Sequence, residues 1–98
     1  MKSGENYVAV KTAELASIAA RIREHIARNI LFVDGQLPFA DDDSFLDNGV
    51  IDSTGILELQ LFVEEGFGIK VRDEEVVPDN FDSISQLTGY VNRKLRAR

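Results

Sequence analysis

The 98-residue chain contains no cysteine and one histidine. Without cysteine there is no disulfide scaffold and no thiolate metal site. Ser or Thr is left as the nucleophile for any covalent chemistry. Long hydrophobic runs are missing too: none approaches the about 18 residues of a membrane-spanning helix. The opening Met1-Lys2-Ser3-Gly4-Glu5-Asn6 leads into only a short apolar stretch, Val8-Ala9-Val10. Neither signal peptide nor anchor is expected, which points to the cytoplasm. Basic charge is scarce, with 11 Lys and Arg against 17 Asp and Glu, a formal charge of −6 and a pI near 4.6. That balance opposes a phosphate backbone, so nucleic acid is not an expected partner.

What is present is 44% hydrophobic content in a chain of single-domain length, able to bury roughly 60–70% of the surface it exposes when unfolded. One domain over residues 1–98 is expected, with residues 1–11 as a loosely ordered N-terminal extension. The charge is unevenly spread: +1 over residues 1–40, −11 over residues 41–82 and +4 over residues 83–98. The acidic part carries apolar residues at helical spacing and is therefore not an unpatterned tail.

Leu15, Ile18, Ile22, Ile26 and Ile30 recur at intervals of three and four, which predicts a helix from about Thr12, its N-cap, to Ile30. Arg21, Arg23, Glu24 and Arg28 fall on its wet side. From Phe32 to Asp52 no period is sustained, and Gly35, Pro38, Gly49 and the run Asp41-Asp42-Asp43 read as a long loop. At roughly twenty residues it exceeds the usual length. Leu37, Phe39, Phe45, Leu46 and Ile51 are expected to pin it.

A second helix is predicted from Ser53 to about Glu65, with Ile56, Leu59, Val63 and then Phe67 inward, Asp52 or Ser53 as cap, and Gly66 and Gly68 at its end. Leu57 and Leu61 sit one position off the inward stripe, and either packing or partial exposure suits them. Asp73 to Val77 predicts a short acidic helical segment stopped by Pro78. Ser83-Ile84-Ser85-Gln86 has the capping-box pattern, followed by Ile84, Leu87, Val91 and Leu95 on one stripe of a last helix whose cationic end suits its dipole. No segment alternates as a strand would. The fold class expected is all-α, a small antiparallel-type four-helix bundle with three longer helices, a short third helix and a long first loop.

Catalytic residues are hard to find. His25 has no acidic or thiol partner nearby in sequence and reads as a surface or flank residue. A Ser–His pair would need it to reach one of six serines across the fold, and no G-x-S-x-G elbow supports that. The carboxylates Asp41, Asp42, Asp43 and Asp47 invite a calcium loop, yet a loop begun at Asp41 puts Phe45 where a polar ligand belongs and Leu46 where glycine does, with the short Asp52 last. Asp52-Ser53-Thr54 remains, a serine directly after an aspartate at a helix start. By itself the tripeptide reads as an N-cap.

From Asp43 to Val91 the chain resembles the acyl carrier protein family, small four-helix bundles with a short third helix. The matching pieces are Ser44-Phe45-Leu46-Asp47, the stretch Gly49 to Leu59, Glu64-Glu65-Gly66-Phe67-Gly68-Ile69, and Asn80-Phe81-Asp82-Ser83-Ile84. In that family the Asp-Ser pair opens the second helix, and the serine receives a 4′-phosphopantetheine arm from coenzyme A. The resemblance implies that Ser53 is the covalent attachment site, that the arm's thiol holds cargo as a thioester, and that the chain is a non-catalytic carrier and monomer. It implies a phosphopantetheinyl transferase, an acyl- or aminoacyl-loading ligase and acyltransferase or synthase acceptors as partners. Docking is expected at Asp52, Thr54, Leu57, Glu58, Leu61, Glu64 and Glu65, the acids meeting basic patches. Val50-Ile51 between glycine and Asp-Ser, with Thr54 and Gly55 after, is similar to D-alanyl carriers and other specialised free-standing carriers of acyl or aminoacyl groups. Two other readings stand beside this: an acidic adaptor in which Asp52-Ser53 is only a cap, and a calcium-responsive module.

Overall fold

The computed structural model describes the backbone of residues 3–34 and 36–97 and the side chains of residues 13–34 and 36–97. The first helix, α1, spans Ser3–His25 and runs on into a π-helical turn over Ile26–Ile30. Ile18, Ile22 and Ile26 are buried, and Leu15 and Ile30 at the ends of the stripe are half-buried. The helix does not begin at Thr12. It starts at Ser3, so most of the expected N-terminal extension is helical, while Met1 and Lys2 lie outside the described residues. A residue with capping chemistry does not compel a start where no proline precedes it, because extending an existing helix costs far less than nucleating one.

The loop that follows is pinned as its apolar residues suggest, with one exception. Phe45 and Ile51 are buried and Leu37 and Phe39 pack against the core, but Leu46 is 51% exposed. Backbone bonds tie the loop to the start of the last helix: Phe45 N–H donates to Asp82 O at 2.7 Å and Ser85 N–H to Asp41 O at 3.0 Å. Arg23 of α1 holds the Asp41 carboxylate with two hydrogen bonds, at 2.9 and 2.8 Å. This bidentate contact keeps the carboxyl of Asp41 below its usual range.

Helix α2 spans Ser53–Phe67 and buries Leu59, Val63 and Phe67. Gly66 lies inside it. Gly68 ends it at φ 67°, a left-handed conformation that glycine adopts without a Cβ clash, and donates its N–H to Glu64 O at 3.0 Å. The acidic segment after it makes one 3-10 turn, Asp73–Glu75, and α3 is a separate four-residue helix, Pro78–Phe81. Pro78 therefore opens a helix instead of stopping one, since at the first helical position its missing N–H has no partner to lose. Helix α4 spans Ile84–Ala97, with Ser83 Oγ accepting the Gln86 N–H at 3.0 Å. Ile84, Leu87 and Val91 are fully buried, Tyr90 nearly so, and α4 packs against α1, α2 and α3. The described residues form a small helical bundle without strands, as the periodicity predicted. None of its helices is long and apolar enough to cross a membrane.

Candidate functional site

Where the long loop enters α2, Asp52 is extended (φ −98°, ψ −171°) and its Oδ1 accepts the N–H of Gly55 at 3.0 Å. Its backbone oxygen takes the N–H of Ile56, also at 3.0 Å. Asp52 is thus the cap, and Ser53, the first residue of the helix, is released from capping. Ser53 is exposed and its hydroxyl makes no hydrogen bond among the described residues. Thr54 beside it is exposed as well. Gly55 has a steric cause: a Cβ there would lie 2.5 Å from Ile51 Cγ2, on a side chain that is itself buried.

A cleft of about 210 Å³ opens beside Ser53, walled by Leu46 of the loop, Ile56 of α2, Val76 and Val77, and Pro78 and Phe81 of α3, with Asp82 at its edge. Leu46 is exposed because it forms this wall. Two carboxylates far from the motif set the walls. Asp82 takes the Ser44 hydroxyl at 2.5 Å and the Leu46 N–H at 3.0 Å, which fixes the loop side. Glu75 takes the Arg72 N–H, the Tyr90 hydroxyl and Lys94 Nζ, each at 3.0 Å, which fixes the Val76–Val77 side to α4. These donors, the Arg72 N–H foremost, hold the Glu75 carboxyl down at about 2. Burial, reinforced by Glu75, pushes the Tyr90 phenol up.

On its outer surface α2 presents Leu57 and Leu61, 60% and 58% exposed, which settles the question their register left open. Glu65 is exposed among them. Glu58 is exposed too, but its Oε1 lies 3.3 Å from His25 Nε2. Glu64 is half-buried and accepts the Val71 N–H at 3.0 Å, so its carboxylate braces the chain beyond the helix. His25 does have an acidic neighbour, one that sequence separation hid. Its ring stacks on Phe62 at 4.0 Å, with Asn29 Nδ2 at 3.2 Å from Nδ1, and burial outweighs Glu58 to push the imidazole below its ordinary pKa. Among the described residues, the hollow around the pair is lined by Leu61, Phe62, Glu65 and Gly66, with no serine or threonine.

Three of the loop's acids are spent on folding it. Asp41 holds Arg23, Asp42 Oδ1 accepts the Ser85 hydroxyl at 2.6 Å, and Asp43 Oδ2 accepts the Ala40 N–H at 2.8 Å. Among the described residues no group of His, Asp and Glu is arranged to hold a metal ion. Sequence reasoning singled out Ser53 but missed the parts played by Asp82 and Glu75. Asp82 stood in a stretch that matched the family and Glu75 in an acidic run, but neither carried a sign of its distant partners.

No protein-family model and no curated protein matches the sequence. Among solved structures, the chain is similar to the crystal structure of an acyl carrier protein from Thermotoga maritima, with a TM-score of 0.68 at 21% identity over 86% of this chain and 93% of that one. The fold is therefore that of an acyl carrier protein.

Proposed function

We propose that this chain is a specialised, free-standing carrier, one domain over residues 1–98, that takes a 4′-phosphopantetheine arm on Ser53 and presents acyl or aminoacyl cargo to partner enzymes. The observation that carries the reading is the division of labour at the start of α2. Asp52 alone makes the cap, so capping does not account for Ser53, whose hydroxyl is exposed and unengaged at the mouth of an apolar cleft. The adaptor reading, in which Asp52-Ser53 is only a cap, leaves that serine without a role.

The residues present suit the group. In loading, Ser53 Oγ forms a bond to the β-phosphorus of coenzyme A, the anhydride bond to the departing adenosine bisphosphate breaks, and the hydroxyl proton goes to a base on the transferase. The resulting phosphodiester anion would lie at the N-terminus of a fifteen-residue helix, where the dipole and free N–H groups favour negative charge. When bound, the arm supplies the thiol that this cysteine-free chain lacks and holds cargo as an activated thioester. The chain contributes a tether, which raises the concentration of cargo at a docked active site. Leu57, Leu61, Glu58 and Glu65 offer partners an apolar strip flanked by acid, suited to a basic, partly apolar surface on a transferase, ligase or acceptor enzyme. Such contacts favour fast, salt-sensitive association, as a shuttle requires. The soluble carrier chemistry fits the cytoplasm.

Intact-mass measurement after incubation with coenzyme A and a broad-specificity phosphopantetheinyl transferase tests the reading. One added phosphopantetheine is expected, and none on Ser53→Ala. No gain, or a gain that survives the substitution, would sink it.

A further inference from the structure

A groove of about 280 Å³ runs between α1 and α4 beside Phe67. Phe67 is the last residue of α2 and Ser53 the first, so the groove lies about 21 Å along the helix from the serine. Asn92 of α4 lines it and is only 8% exposed, yet its carboxamide makes no hydrogen bond among the described residues. One turn earlier on the same face, the Thr88 hydroxyl is also buried without a partner. A carboxamide has two N–H donors and an acceptor oxygen to satisfy, and leaving them empty in a buried place is costly. Contacts within the described chain therefore do not explain Asn92.

Arg21 of α1 stands at the same groove. Its Cζ lies 4.0 Å from the centroid of the Phe67 ring and its Nη2 donates to Gly66 O, two contacts that fix the plane of the guanidinium. It pairs with no carboxylate among the described residues, so most of its five N–H donors stay open. The other two charges, Arg96 and Glu14, offset each other at 3.9 Å. The groove thus carries the positive charge of Arg21 on a chain whose formal charge is −6. Ile18, Phe67 and Leu95 give it apolar walls.

We propose that this groove binds an N-acylated apolar amino acid, free or at the end of a peptide, with its carboxylate on Arg21, its amide on Asn92 and its side chain against Ile18 and Leu95. A guanidinium fork matches a carboxylate bidentately, and a carboxamide both donates to and accepts from an amide. A plain fatty acid would leave Asn92 unpaired. A cation would meet Arg21, and an inorganic anion would leave the apolar walls wet. The space falls just below the roughly 300–1,000 Å³ of pockets that enclose drug-sized ligands, which suits one capped residue. Nothing in this inference depends on the carrier reading, and the Ser53→Ala chain should bind the ligand equally well.

The side-chain amide signals of Asn92 and the backbone amides of Ile18, Arg21 and Leu95 report occupancy by NMR. Titrating the full chain with N-acetyl-leucine into the millimolar range should shift them, and added salt should weaken the binding. N-acetyl-leucinamide, which lacks the carboxylate, and isocaproate, which lacks the amide, should each bind about tenfold more weakly. The peptide N-acetyl-Gly-Gly-Leu separates the two sources: tighter binding than N-acetyl-leucine assigns the groove to a peptide end, weaker binding to a free small molecule, and either supports the site. Asn92→Leu should lower affinity for N-acetyl-leucine about tenfold and unfold at no lower temperature, because its amide has no bond within the described chain to lose. Absence of any shift with N-acetyl-leucine overturns the proposal, as does equal binding of N-acetyl-leucine, its amide and isocaproate. Undiminished affinity in Asn92→Leu overturns it too, and so does a large loss of stability in that variant, which would show that the amide serves the fold.

Discussion

A Cβ on Gly55 would stand 2.5 Å from Cγ2 of Ile51, the buried residue at the end of the loop. The turn that presents Ser53 is therefore built on a close approach that only glycine allows. In an ordinary helix, alanine for glycine would gain about 1 kcal/mol. Here Gly55→Ala should instead lower stability by about 1–3 kcal/mol through overpacking. Thermal unfolding checks the sign, and a stabilised variant would mean that Ile51 moves freely.

Glu75 should make the fold acid-sensitive in a defined window. Its carboxyl titrates at about 2 in the folded chain against 4.5 when free, so the folded state binds the proton more weakly than the unfolded one. The stabilisation is fully present above about 4.5 and drains away as pH falls toward 2. Glu75→Gln should cost about 2 kcal/mol at pH 7, where charged hydrogen bonds to Arg72, Tyr90 and Lys94 are lost or weakened. It should also flatten the stability profile below pH 4.5. Urea unfolding across that range, for both proteins, gives the comparison.

His25 acts in a different window. Burial lowers its pKa in the folded state below 6.5. Above that value the imidazole is neutral in both states, whereas below it the unfolded chain takes the proton first, so stability declines as pH drops until the folded ring is protonated as well. His25→Phe keeps a ring against Phe62 and should remove this dependence. Stability measured at pH 7.5, 6.5 and 5.5 decides it, together with an imidazole proton titration by NMR.

The acids of α2 should separate by role. Glu65→Lys, at an exposed position, should slow transferase loading by about tenfold at low salt, with the difference narrowing as salt rises, and leave folding intact. Leu61→Ser should likewise reduce loading while stability stays within about 0.5 kcal/mol. Glu64→Lys should behave otherwise, because it strips the acceptor from the Val71 N–H and so costs about 1–3 kcal/mol of stability. Equal behaviour of Glu64 and Glu65 in both measurements would contradict this division.

Loop anchoring has its own test. Ser44 Oγ donates to Asp82 Oδ2 at 2.5 Å and accepts the Asp47 N–H at 3.0 Å. Ser44→Ala should cost about 1 kcal/mol and speed hydrogen exchange at the Leu46 amide, which shares Asp82. Unchanged exchange there would mean that Leu46 holds its place without the serine.

Much of this protein was written locally. The stripes of Ile18–Ile22–Ile26 and of Leu59–Val63–Phe67 mark their helices because a helical period is a property of neighbouring residues, and the same stripes became the core. Thr12 and Pro78 misled for the converse reason. A capping residue or a proline states what is permitted at a helix end, and whether an end occurs there depends on the turns on either side of it. The family resemblance set Ser53 apart by ordered motifs, since tripeptide chemistry alone read as a cap.

By itself, then, the sequence determined the helices, the acidic middle and the serine at the head of α2, all of which follow from residue type and short-range spacing. Tertiary structure decided which residue caps, which leucines face out, that His25 meets Glu58, and that Asp82 and Glu75 hold the two walls of the cleft. Those relationships join side chains as distant as Ser44 and Asp82. Carboxylates 38 or 19 residues from their donors leave no period to read, and find their partners only once apolar burial has brought the helices together.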